Sequence, residues 1–246
     1  MEAEFLTAVT GAYLLAGFVK GVIGMGLPTV AIGLLGLMVT PAQAAAILVV
    51  PSFATNVWQG LAGGELRALL CRLWPMLTGI CIGTFVGALT LPRGNGLQAT
   101  VWLGLALAAY AALGLFKVHF SVPPRAEGWI SLVVGIATGV ISVATGVFAM
   151  PMVPFIQALQ FERDRLVQAL GLSFTVSTVA LALALYHAGE IRPSLAWPAL
   201  LALVAALVGM PLGQLLRSRI PPDTFRLWFF IALLVLGTRL ALRGLI

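Results

Sequence analysis

Lys20 is the residue whose type and setting most invite chemistry. It is the only Lys or Arg well inside an apolar segment of this 246-residue chain. A cation at membrane depth is costly and usually functional. As a point charge it can attract or hold a small anion; equally, its long stem lets the ammonium reach the interface while the carbons stay in apolar surroundings. Both readings stand. Around it runs Gly17-Phe18-Val19-Lys20-Gly21-Val22-Ile23-Gly24-Met25-Gly26-Leu27-Pro28. Glycine allows unusual backbone angles and close approach of a ligand, and Pro28 removes a donor and disfavours helix at Leu27. The apolar run from Phe5 to Val39 would measure ~52 Å as one straight helix, against about 30 Å of hydrocarbon. The chain is therefore expected to break at the glycines. The N–H and C=O groups freed there must face protein or a wet cavity, and such breaks are where transporters bind their substrates.

The device recurs. Gly135-x-x-x-Gly139-Val140-Ile141 follows Gly17-x-x-x-Gly21-Val22-Ile23 by 118 residues, with Thr138 in the place of Lys20. It continues Ser142-Val143-Ala144-Thr145-Gly146 and reaches Pro151 and Pro154. Ser52-Phe53 is repeated as Ser173-Phe174 after 121 residues, and Gly83-x-x-x-Gly87 matches Gly209-x-x-x-Gly213 after 126. The drifting offset indicates two copies with loops of different length. Exposed N–H groups at the breaks, with half-helix N-termini behind them, favour an anion. Ser142 and Thr145 add hydroxyl donors. The expected substrate-binding set is Lys20, Gly21, Gly24, Met25, Gly26, Pro28 and Asn56 in the first half. In the second it is Thr138, Gly139, Ser142, Thr145, Gly146, Ser173 and Ser177. The alternative is that the small residues only allow tight helix packing.

After each break, the next full helix carries a polar stripe. Ser52, Thr55, Asn56 and Gln59 are spaced at three and four and share one helical face; Gln43 precedes them. Gln168, Ser173, Thr175, Ser177 and Thr178 form the second set. They suit a pathway lining, with hydrogen bonding between helices as the alternative. No Asp or Glu lies inside an apolar segment, which argues against a carboxylate proton relay. His187 sits at a segment end and reads as interfacial, as do Trp58, Trp74, Trp129, Trp197 and Trp228.

These residues need a membrane scaffold to position them. The chain is 61% hydrophobic and 9% charged, with a mean hydropathy of +1.07. Its apolar runs are long and do not alternate, so the expectation is an all-α polytopic membrane protein. The start lacks the basic residues of a signal peptide. Eight full-length segments are expected: Phe5–Gly24, Pro41–Leu61, Ala68–Leu91, Leu97–Phe116, Gly128–Val147, Leu166–His187, Leu195–Leu216 and Thr224–Leu242. Two short half-helices, Pro28–Val39 and Met150–Gln160, follow the breaks. A linker from Lys117 to Glu127, with Pro123-Pro124, divides a first repeat (1–120) from a second (121–246). The net charge of +6 reads as topology signals and lipid contacts, not as a nucleic-acid surface. Cys71 and Cys81 stand about 15 Å apart on one helix and cannot bridge. No metal spacing, cofactor motif or catalytic set is present.

Cation placement argues for the topology. Suppose the chain turns back at each break. Then Arg67, Arg72, Lys117, Arg125, Arg163, Arg165, Arg217, Arg219 and Arg226 share one face, and Arg93, Arg192, Arg239 and Arg243 the other, with Glu2 and Glu4. That asymmetry obeys the positive-inside rule, whereas a single long crossing at each break leaves no bias. The expectation is two inverted repeats of about five helical elements each, with both termini outside.

The glycine motif near the N-terminus and its echo, Gly-x-x-x-Gly-x-x-Ser-x-x-Thr-Gly followed by proline, resemble those of the TauE/SafE family of sulfite and sulfonate exporters. The resemblance extends over the whole chain in length, duplication and motif placement. It implies a secondary transporter, not an enzyme, that exports a small sulfur-containing or organic anion from a bacterium across its inner membrane. A channel or importer for the same substrates is the nearest alternative. A membrane enzyme would need intramembrane acids and an Arg/Ser cluster that the chain lacks, and two broken segments argue against a non-transporting partner subunit. The expected partners are a small anionic substrate, membrane lipids and a possible second copy.

Overall fold

The apolar runs fold as helices throughout the computed structural model, which describes residues 2–91, 96–116, 122–217, 219 and 221–243. In order these are α1 (Glu2–Ile23), α2 (Leu27–Leu35), α3 (Pro41–Leu61), α4 (Leu66–Thr90) and α5 (Gly96–Leu115). The second half gives α6 (Glu127–Thr145), α7 (Met152–Ala158), α8 (Arg163–His187), α9 (Ala196–Arg217) and α10 (Pro222–Leu242). Eight are long and apolar enough to cross a membrane. The exceptions are α2, with nine residues, and α7, with seven. Among the described residues there is no strand. Arg93, Lys117 and residues 117–121 of the expected linker lie outside the described residues, as do Ser218 and Ile220 in the loop before α10.

Both breaks form where glycine and proline mark them. Gly24 and Gly26 have φ of +78° and +98°, the left-handed region that a side chain resists. Pro28 sits in the first turn of α2, where a missing N–H breaks no helical bond. In the second half α6 runs to Thr145 and is closed by Gly146 at φ +76°, whose N–H donates to the Ser142 carbonyl at 2.7 Å. This is the usual glycine stop.

The halves pack by exchange. The α1 helix lies on α9 and α4 lies on α6, while α3 packs on α8 and α5 on α10. Glycines bring the exchanged pairs together backbone on backbone. A Cβ at Gly209 would fall 2.2 Å from the Leu14 carbonyl oxygen, and one at Gly213 would fall 2.1 Å from that of Phe18. In the other pair, a Cβ at Gly79 would fall 2.4 Å from the Leu132 carbonyl oxygen and one at Gly83 2.1 Å from that of Ile136. Leu132 and Ile136 are the residues 118 positions beyond Leu14 and Phe18. The packing therefore equates Gly79 and Gly83 with Gly209 and Gly213, 130 residues apart, and corrects the match of Gly83 and Gly87 to that pair.

These contacts also give the chain's course. The α1 helix runs in the same direction as α9. The α2 helix runs in the same direction as α10: Gly26 faces Phe229, Gly33 faces Leu236, and Arg243 donates to the carbonyls of Gly36 and Leu37. Since α9 and α10 are joined by a short link, the chain turns back between α1 and α2. It turns back again after α6, because Phe161, just beyond α7, lies under Arg72 and Arg165 near the starts of α4 and α8.

Candidate functional site

Lys20 stays inside. It is 3% exposed, and its ammonium donates to Thr55 Oγ1 at 3.0 Å and to Asn56 Oδ1. No snorkelling occurs. The helical spacing of α3 sets both acceptors one turn above Gln59 on the face that meets α1. Among the described residues no carboxylate pairs with Lys20, whereas Arg72 pairs with Glu127 and Arg165 with Glu65.

From Lys20 a directed chain of hydrogen bonds crosses to α8. Asn56 Nδ2 donates to Ser52 Oγ at 2.9 Å, and Ser52 Oγ lies 3.0 Å from Thr178 Oγ1. Thr178 uses its own proton on the Phe174 carbonyl at 2.7 Å, so Ser52 is the donor in that pair. An ammonium has only protons to give, and this polarity, running from Lys20 through Asn56 and Ser52 to Thr178, sets the orientation of the Asn56 amide. Thr55 is held likewise, by donation to the Pro51 carbonyl at 2.8 Å. An ammonium carries three protons, and two of them are used in these side-chain bonds.

Glutamines seal the first break. Gln59 Nε2 donates to the Gly24 carbonyl at 3.0 Å, which the end of α1 leaves open, and to the Val167 carbonyl in α8 at 2.9 Å. Gln168 does the same for α3, donating to Gly60 and Gly63 and accepting from the Glu65 N–H. These stripe residues are therefore caps and not a pathway lining. The other expected site residues divide. Gly21 and Gly139 are packing positions, where a Cβ would meet the Met210 carbonyl at 2.2 Å and the Ile80 carbonyl at 2.4 Å. Met25 is buried and accepts a hydrogen bond from Tyr110 at sulfur; Pro28 is buried in α2. Thr138, the counterpart of Lys20, is buried and donates to the Val134 carbonyl. Ser177 donates to the Ser173 carbonyl, while the buried Ser173 hydroxyl has no partner.

The second break opens on space. A cavity of about 1370 Å³ reaches Ser142, Thr145 and Gly146 at the end of α6. Its lining also takes in Leu91, Gln98 and His187, at the ends of α4 and α8 and the start of α5. Its walls are largely apolar, as with Phe85, Trp102 and Val179. Ser142 Oγ donates to the Gly139 carbonyl and Thr145 Oγ1 to that of Ile141, and Thr145 Oγ1 also accepts from the Val147 N–H at 3.1 Å. The charge and the space thus belong to different breaks. Lys20 does not line this cavity; α8 separates them, with Thr175, Val176 and Val179 facing the space and Thr178 facing the Lys20 chain.

Sequence reading missed Thr84. It lines the cavity at 2% exposure, and its hydroxyl has no partner. The available signal was its place directly after Gly83 in a glycine motif.

Eight helices long and apolar enough to cross a membrane, with two short helices at glycine breaks, define a polytopic membrane protein. Residues 9–240 match the family model described as Sulfite exporter TauE/SafE. The chain belongs to that family and is an integral membrane protein. No curated protein and no solved structure matches it.

Proposed function

We propose that the protein exports a small anion, a sulfite, organosulfonate or related sulfur or organic anion, by exposing a site between the two breaks to each side in turn. The observation that carries this reading is Lys20: a cation at membrane depth, oriented by Thr55 and Asn56 and, among the described residues, lacking a carboxylate partner. A buried charge without a counter-ion is strongly unfavourable, and a transported anion would supply one. The first break lies by the last turn of α3, through Gln59, and the second by its first turn, where Gly146 faces Ala45. These positions support two halves of opposite orientation, divided near residues 120 and 121, that could close one end while opening the other.

In this reading the end holding Arg72 and Arg165 faces the cytoplasm and the cavity opens outward, with both termini outside a bacterial inner membrane. An inside-negative potential then favours anion exit by about 2.3 kcal/mol per charge per 100 mV. The test is efflux of radiolabelled sulfite, sulfoacetate and thiosulfate from proteoliposomes, with and without an imposed potential. Saturable efflux that quickens with an inside-negative potential is expected. Absence of flux for all three would remove the sulfur-anion assignment.

A further inference from the structure

Five threonines in the helix interiors around the site follow one rule. Thr55, Thr138, Thr145, Thr175 and Thr178 each donate to the carbonyl four residues back. This is the ordinary way for a threonine to satisfy its hydroxyl inside a helix. Thr84 does not follow it. Its corresponding carbonyl, Ile80, lies against Gly139: a Cβ on that glycine would stand 2.4 Å from the Ile80 oxygen and 2.4 Å from the Thr84 nitrogen. Close seating of α6 thus occupies the acceptor side, and the Thr84 hydroxyl is left without a partner while the residue lines the cavity. An orphaned buried hydroxyl costs stability and calls for a partner that comes and goes. Ser142 and Thr145, the neighbouring hydroxyls of the same cavity, already donate to backbone carbonyls.

We infer that Thr84 is a substrate-contacting residue, whose hydroxyl swings into the cavity and donates to an oxygen of the transported anion beside the second break. Rotation about the Cα–Cβ bond exchanges hydroxyl and methyl, and threonine populates two such rotamers in helices. The anion then has two stations: Lys20 at the first break, and an uncharged donor at the second that releases it more readily. The inference rests on the anion-export reading and adds a residue on α4 to it.

The test compares Thr84→Val, which keeps the shape and removes the hydroxyl, with Thr84→Ser, which keeps the hydroxyl. Efflux of radiolabelled sulfite, sulfoacetate and thiosulfate from proteoliposomes is measured beside the melting temperature of each purified protein without substrate. The Val variant is expected to raise the half-saturation concentration about tenfold, the scale of a lost hydrogen bond to a charged group. Its melting temperature should equal or exceed that of the wild type, and the Ser variant should stay within about twofold of wild-type half-saturation. Wild-type half-saturation in the Val variant would overturn the inference. So would a lowered melting temperature with equal transport losses in both variants, the mark of a packing role. Wild-type protein that carries none of the three anions would strike the anion-export reading itself, and the inference with it, before any variant is compared.

Discussion

A cation buried among neutral partners makes a definite claim on function. Lys20 donates to Thr55 and Asn56, and both acceptors are themselves held, by Pro51 and Ser52. Both acceptors are thereby fixed toward the ammonium. Replacing Lys20 by Met keeps the stem's volume and removes the charge, so efflux should fall by tenfold or more at substrate concentrations near half-saturation, the scale of a lost charge-assisted hydrogen bond. Flux assays on folded, reconstituted protein check this, and unchanged rate and half-saturation would exclude Lys20 from the pathway. Lys20 stood out in the sequence as a lone cation in an apolar run, with reach to the interface as the other reading. Whether it reaches the interface was not legible, since that depends on acceptors 35 and 36 positions away in the chain. The orphan state of Thr84 was equally hidden: it follows from how closely another helix seats on Ile80.

At the scale of the helices, the two glycine seams hold the arrangement. Gly83→Ala would drive a methyl to 2.1 Å from the Ile136 carbonyl. The helices must part, at a cost of about 1–3 kcal/mol, readable as lost thermal stability. Gly11→Ala is the control: nothing lies within 4 Å of its Cβ position. There the helical preference of Ala over Gly should stabilise by about 0.5–1 kcal/mol. Existence and type of the long helices were readable from apolar length, and the two short ones from coincident glycine and proline. Register was not. In α4, Gly79, Gly83 and Gly87 follow one another at intervals of four, so the sequence offers two overlapping Gly-x-x-x-Gly motifs. Only the seat of each against Leu132 and Ile136 chooses between them. The glutamines misled for a related reason: a polar residue on an inward face serves a pathway or a backbone carbonyl, and the break that exposes the Gly24 carbonyl lies in a different helix.

For the whole molecule, the cavity and the ion-paired end are opposite poles. Cys81 is exposed and lines the cavity, whereas Cys71 is exposed outside it. A membrane-impermeant maleimide applied from the cavity side should label Cys81, and transported anion should slow that labelling at least severalfold while leaving Cys71 unchanged; mass spectrometry of the two cysteines reads the result. Substrate-independent labelling of Cys81 would show that this space lies off the pathway. The exchanged packing reaches further still. Each half carries one member of both seams, α1 with α4 in the first and α6 with α9 in the second, and neither half can close a seam internally. Two copies of a single half could close both at once, each lending its first helix to the other's fourth, as in an isologous two-fold dimer. Residues 1–116 expressed alone should accordingly be recovered as a self-associated pair, and co-expression with residues 122–246 should convert that pair into the mixed assembly.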